Sequence, residues 1–323
     1  MSNAMETVAI IGAGALGAVY GGMLCDCSPG SVCFIADGRR YESLKRQGIT
    51  VNGRPYAVPV VRRAEARPAD LVIVAVKHYH LDQAIIDMKH TVGEDTTILS
   101  VMNGIDSEER IGAVYGMDKV VYGLTLGIDA VREGNTVTFR NLGRILFGEE
   151  KNDVLSDRVS QISEFFTRVG IIHEIPQDMI RSLWFKYMIN VGANQVSAVL
   201  GANYGMLRSS EDARLMMESA MAEVIAIARA MKINLTEKDI VEWYKVLASL
   251  NETGKTSMLQ DVEAGRETEV EMLAGTLIEL GKRLGIPTPE NQKLFDELKR
   301  IESGVRDNHP HTLNQSQLLR SLI

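Results

Sequence analysis

The sequence has few cysteines and no long apolar run, and each shortage excludes a class of protein. Its three cysteines, Cys25, Cys27 and Cys33, are too few and too clustered for a disulfide framework. No cluster of histidine or cysteine elsewhere completes a metal site with them, so we expect no metal and buried, inert thiols in a reducing cytoplasm. No stretch reaches the roughly 18 apolar residues that span a bilayer, and no secretory leader is recognisable.

Positive charge is scarcer than negative charge. The 323 residues include 35 Lys and Arg against 42 Asp and Glu, giving a net charge of −7. This balance argues against nucleic acid or an anionic membrane as the main partner. The length suffices for two domains, and 45% hydrophobic with 24% charged residues is typical of a globular protein. The opening letters MSNA resemble an expression scar and are excluded from the fold.

The first half of the chain alternates short β-branched runs with helical patterns. This alternation predicts an α/β fold, a doubly wound parallel sheet of the Rossmann type with helices on both faces. Gly170 closes an amphipathic helix, and Glu133-Gly134-Asn135 is typical of a turn between strands. The predicted strands include 7–12, 32–36, 70–76 and 96–102, with helices at 15–25 and 154–170.

After Pro176 the pattern changes to long helices without convincing strands. The change predicts a Rossmann domain over 5–176, an all-helical substrate and catalytic domain over 177–304, and a polar tail over 305–323. The predicted helices span 177–200, 209–230, 236–250, 254–285 and 289–303.

The letters IIGAGALG place Gly12, Gly14 and Gly17 in the spacing G-x-G-x-x-G, directly after a predicted strand. The first glycine permits a tight turn, the second lets backbone approach a pyrophosphate, and the third brings helix and strand close together. The strand and small-residue helix around them supply the context that makes this short motif specific. We therefore predict a dinucleotide site at this glycine-rich turn (residues 12–17), which includes Ala15 and Leu16.

The end of the second strand bears on which dinucleotide binds, and its residues give conflicting indications. Asp37 is placed to bind a ribose diol and favours NAD, whereas Arg39 and Arg40 are suited to a 2′-phosphate. Solvated surface arginines are the plain alternative.

Two further polar residues follow predicted parallel strands. Lys77 comes after VAV, and Asn103 follows SVM. Ligands of open α/β sheets lie outside the carboxyl ends of the strands, so both residues are expected beside the nicotinamide. His78 and His80 have no carboxylate partner at suggestive spacing and are interpreted as surface or packing residues.

The segment WFKYMINVGANQVSAVLG reads as a buried helix interrupted by Lys186, Asn190, Asn194 and Ser197. These residues form one stripe at helical spacing, and buried polar groups need partners. A polar contact between helices or a solvated groove would also explain them. Ser257 and Glu269 are predicted on one long helix, in which Gly265 is a plausible weak point.

Four blocks of the sequence together resemble a known family: IIGAGALGAVYGG, VKHYHLDQA with VMNGI, WFKYMINVGANQVSA, and TSMLQDVEAGRETEVEMLAG with GIPTPEN. Through them the chain resembles the ketopantoate reductase (2-dehydropantoate 2-reductase) family from Met5 to about Asn291. The resemblance implies a Rossmann domain joined to an all-helical domain like the C-terminal one of 6-phosphogluconate dehydrogenase. It also implies reduction of 2-dehydropantoate to (R)-pantoate with NADPH, a step of pantothenate and coenzyme A biosynthesis.

The resemblance also implies roles for single residues. Lys186 corresponds to the general acid, and Glu269 to the acidic residue that accepts from a substrate hydroxyl. Substrate-binding positions are Asn190, Asn194, Ser257 and Asn103, and cofactor-binding positions are Gly12, Gly14, Ala15, Leu16, Gly17, Arg39, Arg40, Lys77 and Asn103. Ser197 has no such counterpart and is interpreted as helix packing.

One departure from the family concerns the cofactor. Many members have Arg where this chain has Asp37. We expect NADPH with Arg39 or Arg40 in the role of that arginine, and NAD stays open.

A reductase of another branched 2-oxo acid is the main alternative function. A non-catalytic protein that senses NADPH is the alternative from another class. The methionines of the helical half fit either core filling or a homodimer face.

Overall fold

The computed structural model describes residues 5–304, which form two compact units. The first unit ends at Leu183 and the second begins at Trp184, whereas the sequence pattern placed the domain boundary after residue 176. The predicted tail 305–323 lies outside the described residues. Among the described helices, none combines the length and the apolar character that crossing a bilayer requires.

The strands of the first unit form two sheets in the described part of the chain. The strands β1 to β12 are Val8–Ile11, Val32–Ile35, Ile49–Val51, Arg54–Tyr56, Val60–Val61, Leu71–Val74, Thr97–Ser100, Val120–Leu126, Val131–Glu133, Thr136–Thr138, Arg144–Gly148 and His173–Glu174. The larger sheet has the order β12-β11-β8-β7-β6-β1-β2-β5, and the smaller has the order β4-β3-β10-β9.

The centre of the large sheet is parallel and buried on both faces, which explains its uninterrupted apolar runs. β1 lies between β2 and β6, with Ile11 opposite both Ile35 and Val74. Val74 in turn lies opposite Ser100 of β7. The carboxyl ends of these four strands therefore meet at one edge of the sheet. This confirms the predicted α/β fold, with an antiparallel pair of β8 and β11 added on one side.

The small sheet is the part of the fold that the sequence did not reveal. β10 pairs antiparallel with β9 around Gly134, as the turn at 133–135 predicted. It also pairs in parallel with β3, a segment distant along the chain. Strands of three residues carry too short an alternation to be recognised by period alone.

In the described part of the first unit, five helices accompany the sheets. The last of them is capped by Ser156 and ends at Gly170, whose φ of 76° is the left-handed value predicted for a helix terminator. The helices α1 to α5 are Ala15–Cys27, Gly38–Gln47, Leu81–Asp87, Ser107–Tyr115 and Asp157–Val169, with 3₁₀ turns at Arg63–Glu65, His78–His80 and Met117–Lys119.

Beyond these the described chain is helical, as predicted. Two π-helical turns, Asn190–Asn194 and Glu271–Gly275, interrupt the α-helices, and such turns are frequent at functional sites. The helices α6 to α13 are Met179–Ile189, Gln195–Leu200, Tyr204–Ser209, Glu211–Ala230, Glu237–Ser249, Ser257–Glu263, Thr276–Leu284 and Pro289–Glu302.

The predicted continuous helix over 254–285 is wrong. Its first part ends at Glu263, and Gly265 takes a left-handed φ of 61°. The Arg266 amide donates to the carbonyl of Asp261 and closes the helix end. Helical structure resumes with the π turn, so Ser257 and Glu269 do not share a helix.

Candidate active site

The first and third glycines of the glycine-rich turn are required by the protein itself. Gly12 has a φ of 103°, and a Cβ there would lie 2.7 Å from the carbonyl oxygen of Ala75. A Cβ on Gly17 would overlap the carbonyl oxygen of Gly12. These two positions therefore allow the turn to close and α1 to pack tightly against the sheet.

The second glycine has no such internal reason. Gly14 has an ordinary φ of −75°, and a Cβ there would meet only the Ala75 carbonyl oxygen, at 3.7 Å. The fold would therefore tolerate a side chain at Gly14, which lies at the N-terminus of α1. Together with half-buried Ala15 and Leu16 in the first turn, this leaves room for a pyrophosphate at a helix N-terminus. The residues present fit a dinucleotide.

Asp37, which follows β2, is engaged by an arginine of its own chain. Arg63 Nε lies 2.9 Å from Asp37 Oδ2, and Arg63 Nη1 lies 3.4 Å from Asp87 Oδ1. The carboxylate that would favour NAD is therefore paired within the protein. Arg39 and Arg40 are both exposed, and Arg40 also donates from Nη2 to the carbonyl of Ala13.

Lys77 and Asn103 follow β6 and β7, at the same sheet edge as the glycine-rich turn, and both are half-buried. The two loops that carry them are joined by His78, whose Nε2 lies 3.0 Å from Asp106 Oδ2. Sequence spacing offered no carboxylate for His78, and the structure supplies Asp106, which is near in space and far in sequence. His80 is exposed.

The polar stripe on the second unit includes the first π turn, Asn190–Asn194. Lys186, Asn190 and Asn194 are half-buried, and Asn194 Nδ2 lies 3.4 Å from Asn190 Oδ1. The π turn thus leaves the two amides side by side. Ser197 is fully buried and donates to the carbonyl of Ala202 at 2.6 Å, which agrees with packing.

A buried polar network that the sequence analysis missed supports this segment. Gln195 Nε2 donates to the carbonyl of Val191 at 2.7 Å and to Asn291 Oδ1 at 3.1 Å. Asn291 Nδ2 donates to Glu223 Oε2 at 2.7 Å. Tyr187 Oη donates to a carbonyl of the second π turn at 2.6 Å. Asn291 belongs to the GIPTPEN block, which was the one available indication.

The remaining two predicted substrate residues differ in exposure. Ser257 is exposed at the start of α11, next to the capping residue Thr256. Glu269 is 8% exposed and lies in the irregular segment before the second π turn.

Glu108 is a buried carboxyl group that the sequence analysis did not single out. It is 2% exposed in the first turn of α4, accepts from Ser107 Oγ at 2.8 Å and from the Gly123 amide at 3.3 Å. Burial raises the pKa of this carboxyl to about 7. Ser107 also hydrogen-bonds Ser100, the last residue of β7, at 2.8 Å.

The cysteines correct another expectation. Cys27 is exposed, and Cys25 and Cys33 are partly exposed rather than buried. In residues 5–304, no three His, Cys, Asp or Glu side chains are grouped so that they could hold a metal ion.

Two family models match the chain and together cover most of it. The model described as ketopantoate reductase PanE/ApbA matches residues 8–152, and the model described as its C-terminal part matches residues 178–302. The predicted residues of the glycine-rich turn, Lys77 and Asn103 lie in the first match, and the polar stripe with Ser257 and Glu269 lies in the second.

Named relatives and solved structures agree with these matches. A 2-dehydropantoate 2-reductase of Pyrococcus horikoshii is 28% identical over 304 residues, covering 91% of this chain and 97% of the relative. The crystal structure of a 2-dehydropantoate 2-reductase from Geobacter metallireducens is 27% identical, with a TM-score of 0.80 over 91% of this chain and 99% of that one. A D-mandelate dehydrogenase solved with NADH and anilino(oxo)acetate reaches a TM-score of 0.83 at 23% identity, covering 92% and 98%. This last likeness concerns the fold alone.

Proposed function

The chain belongs to the ketopantoate reductase family, and on that premise we propose that it reduces 2-dehydropantoate to (R)-pantoate with NADPH, in pantothenate and coenzyme A biosynthesis. Relatives named for this reaction support the proposal along nearly their full length. The observation that carries it is Gly14. A Cβ there would meet only the Ala75 carbonyl oxygen, at 3.7 Å, so the missing side chain leaves room for a dinucleotide.

Lys186 is the proposed general acid. When bound, the reduced nicotinamide supplies the hydride that adds to the keto carbon of the substrate. The Lys186 ammonium stabilises the negative charge that develops on the keto oxygen and donates a proton to it. Asn190 and Asn194 lie side by side and donate hydrogen bonds that orient the substrate. Ser257 binds the substrate carboxylate, and Glu269 accepts from its hydroxyl group.

The first unit holds the cofactor in this proposal. The backbone of the glycine-rich turn and the N-terminus of α1 bind the pyrophosphate. Lys77 and Asn103 contact the nicotinamide end, and Arg39 or Arg40 takes the 2′-phosphate. The pairing of Asp37 with Arg63 supports NADPH over NADH, because the carboxylate is less available to a ribose diol. A homodimer and a cytoplasmic location stay predictions.

Replacing Lys186 by alanine tests the catalytic part of the proposal. We expect kcat with 2-dehydropantoate and NADPH to fall by roughly 10²–10⁴-fold, the usual contribution of a positioned acid. The dissociation constant for NADPH, measured by fluorescence titration, should change less than about threefold, since cofactor binding is assigned to the first unit. Lys238→Ala, an exposed lysine of α10, is the matched control and should retain wild-type kcat.

A panel of 2-oxo acids with both reduced nicotinamides tests the substrate and the cofactor. The proposal requires the highest kcat/KM for 2-dehydropantoate with NADPH. A higher value for another branched 2-oxo acid would establish the alternative reductase. NADPH binding without turnover of any 2-oxo acid, unaffected by Lys186→Ala, would instead identify a sensor.

A further inference from the structure

Two arginine side chains from distant parts of the first unit meet at one backbone carbonyl of the glycine-rich turn. Arg40 Nη2 and Arg132 Nη1 both donate to the carbonyl oxygen of Ala13. Arg40 lies in the first turn of α2, directly after β2, and Arg132 lies on β9 of the small sheet. The small sheet therefore delivers a second guanidinium to the turn that the sequence predicts as the dinucleotide site.

These two positive charges are not neutralised by the protein. Within residues 5–304, neither Arg40 nor Arg132 has a carboxylate at ion-pair distance, whereas the nearby Arg63 is paired with Asp37 at 2.9 Å. A carbonyl oxygen carries only a partial charge. Arg132 is half-buried, and burial together with the charge of exposed Arg40 lowers the pKa of Arg132 to about 10. Two like charges that meet at one oxygen, one of them partly withdrawn from water, are unfavourable unless an anion joins them.

The N-terminus of α2 favours an anion at the same place. Its capping residue Asp37 is paired with Arg63 at 2.9 Å. Its first turn contains no acidic residue and instead places Arg39 and Arg40 there. Cations at the positive end of a ten-residue helix oppose its dipole, and an anion bound beside them would be stabilised by both.

We propose that Arg132 binds the 2′-phosphate of the cofactor together with Arg40 and thereby sets the preference for the phosphorylated dinucleotide. This proposal rests on the proposed function, in which NADPH is the cofactor. The pyrophosphate is the anion expected at Gly14 and the N-terminus of α1, whereas Arg40 follows β2, where the 2′ position of the ribose is recognised. Two guanidiniums also supply the fork geometry that phosphate oxygens accept.

Binding titrations with cofactor fragments test this role without reference to turnover. Dissociation constants of wild type, Arg132→Ala and Arg132→Lys are measured for NADPH, NADH, 2′,5′-ADP and 5′-ADP by isothermal titration calorimetry. We expect Arg132→Ala to raise the dissociation constants of NADPH and 2′,5′-ADP by about 10- to 100-fold, the range for a lost charge-assisted hydrogen bond. The dissociation constants of NADH and 5′-ADP should change less than twofold. Arg132→Lys keeps the charge without the forked guanidinium and should give intermediate dissociation constants.

Arg140→Ala is the matched control, because it removes an exposed positive charge shortly after β10 that is not assigned to the turn. It should leave all four constants within twofold. Thermal midpoints of every variant verify folding, and Arg132→Lys keeps the comparison available if the alanine variant is unstable. NADPH binding unchanged in Arg132→Ala would overturn the inference. Equal losses for NADPH and NADH would also overturn it, since they identify a pyrophosphate contact.

Failure of the inference and failure of the proposed function give different results. If the wild-type protein binds 2′,5′-ADP no better than 5′-ADP, the NADPH assignment fails and the inference fails with it. If the wild type prefers 2′,5′-ADP and Arg132→Ala keeps that preference, only the inference fails. If 2-dehydropantoate is not reduced while Arg132→Ala loses its preference, the inference stands and the proposed substrate is wrong.

Discussion

The fold would tolerate a side chain at Gly14, whereas the proposed dinucleotide site would not. A methyl group there would meet only the Ala75 carbonyl oxygen, at 3.7 Å. We therefore expect Gly14→Ala to fold with a thermal midpoint within a few degrees of wild type. The methyl group would occupy the space assigned to the pyrophosphate, so the dissociation constants for NADPH and NADH should both rise more than tenfold. Calorimetric titration with both dinucleotides measures this.

Gly17→Ala is the contrasting variant. Its methyl group would overlap the Gly12 carbonyl oxygen, so it should lower the thermal midpoint strongly whether or not a dinucleotide is present. A stable Gly14→Ala variant that binds both dinucleotides as wild type does would contradict the assigned site.

Glu108 gives the stability of the first unit a definite pH dependence. Burial raises the pKa of its carboxyl from the ordinary 4.5 to about 7, so the folded state binds the proton more tightly than the unfolded state. Stability from this group is therefore fully present below about pH 4.5 and is lost as the pH rises through about 7. Each pKa unit corresponds to about 1.4 kcal/mol.

Glu108→Gln removes that titration while keeping a polar side chain of similar size. We expect the difference in unfolding free energy between the Glu108→Gln variant and wild type to move in favour of the variant by about 2–3 kcal/mol between pH 5 and pH 8. Urea unfolding at several pH values measures it. Glu109→Gln changes the exposed neighbour and should show no such trend; a parallel trend in both variants would rule out Glu108 as its source.

At the scale of single residues, what the sequence could predict was set by distance along the chain. The three glycines and the stripe residues are close in sequence, so motif and helical period could predict them as candidates. Arg132 and the pair of His78 with Asp106 depend on contacts between separate loops. No spacing rule within one segment predicts such contacts.

Among the elements, the two π-helical turns set the second unit apart. Tyr187 Oη donates to the carbonyl of Leu273 at 2.6 Å, which ties α6 to the second π turn. Gln195 and Asn291 hold the first π turn from its buried side. A search for helical periodicity predicts ordinary α-helix in such segments. Most of their residues are apolar or small, so one extra residue in a turn causes no visible break in the pattern.

Asn291→Ala should show how strongly this support matters. Asn291 is fully buried and bonds Gln195, Glu223 and the Ala220 carbonyl. Its loss removes the three hydrogen bonds of this buried side chain, at about 0.5–1.5 kcal/mol each. We expect the free energy of unfolding to fall by about 2–4 kcal/mol in urea titrations.

The adjacent residue supplies the control for that substitution. Gln292 is exposed on the same helix, and Gln292→Ala should stay within about 0.5 kcal/mol of wild type. Similar losses for the two variants would mean that the buried network contributes little.

The broken helix between Ser257 and Glu269 marks another limit of sequence patterns. Gly265 was recognised as a weak point, yet apolar spacing continued past it and favoured one helix. The end at Glu263 is set by backbone bonds around Asp261 and Arg266, which apolar periodicity does not register.

For the whole molecule, the sequence predicted the fold class because the parallel core is encoded by long buried strands. It did not predict the small sheet, in which β10 pairs with β3, a segment remote along the chain. Net charge was a poor guide to local charge: the total of −7 argues against a polyanion as the main partner, yet it conceals the local meeting of Arg40 and Arg132 at Ala13.

The parallel pairing of β10 with β3, Thr136 opposite Thr50, has a consequence for biosynthesis. Arg132 can take its place only after two remote stretches of chain have closed a large loop, which is a slow, entropically costly event. A nascent polypeptide emerging from the ribosome possesses the glycine-rich turn long before it possesses the second arginine. Tight retention of a phosphorylated nucleotide would then follow the closure of this loop and report that the first unit has folded.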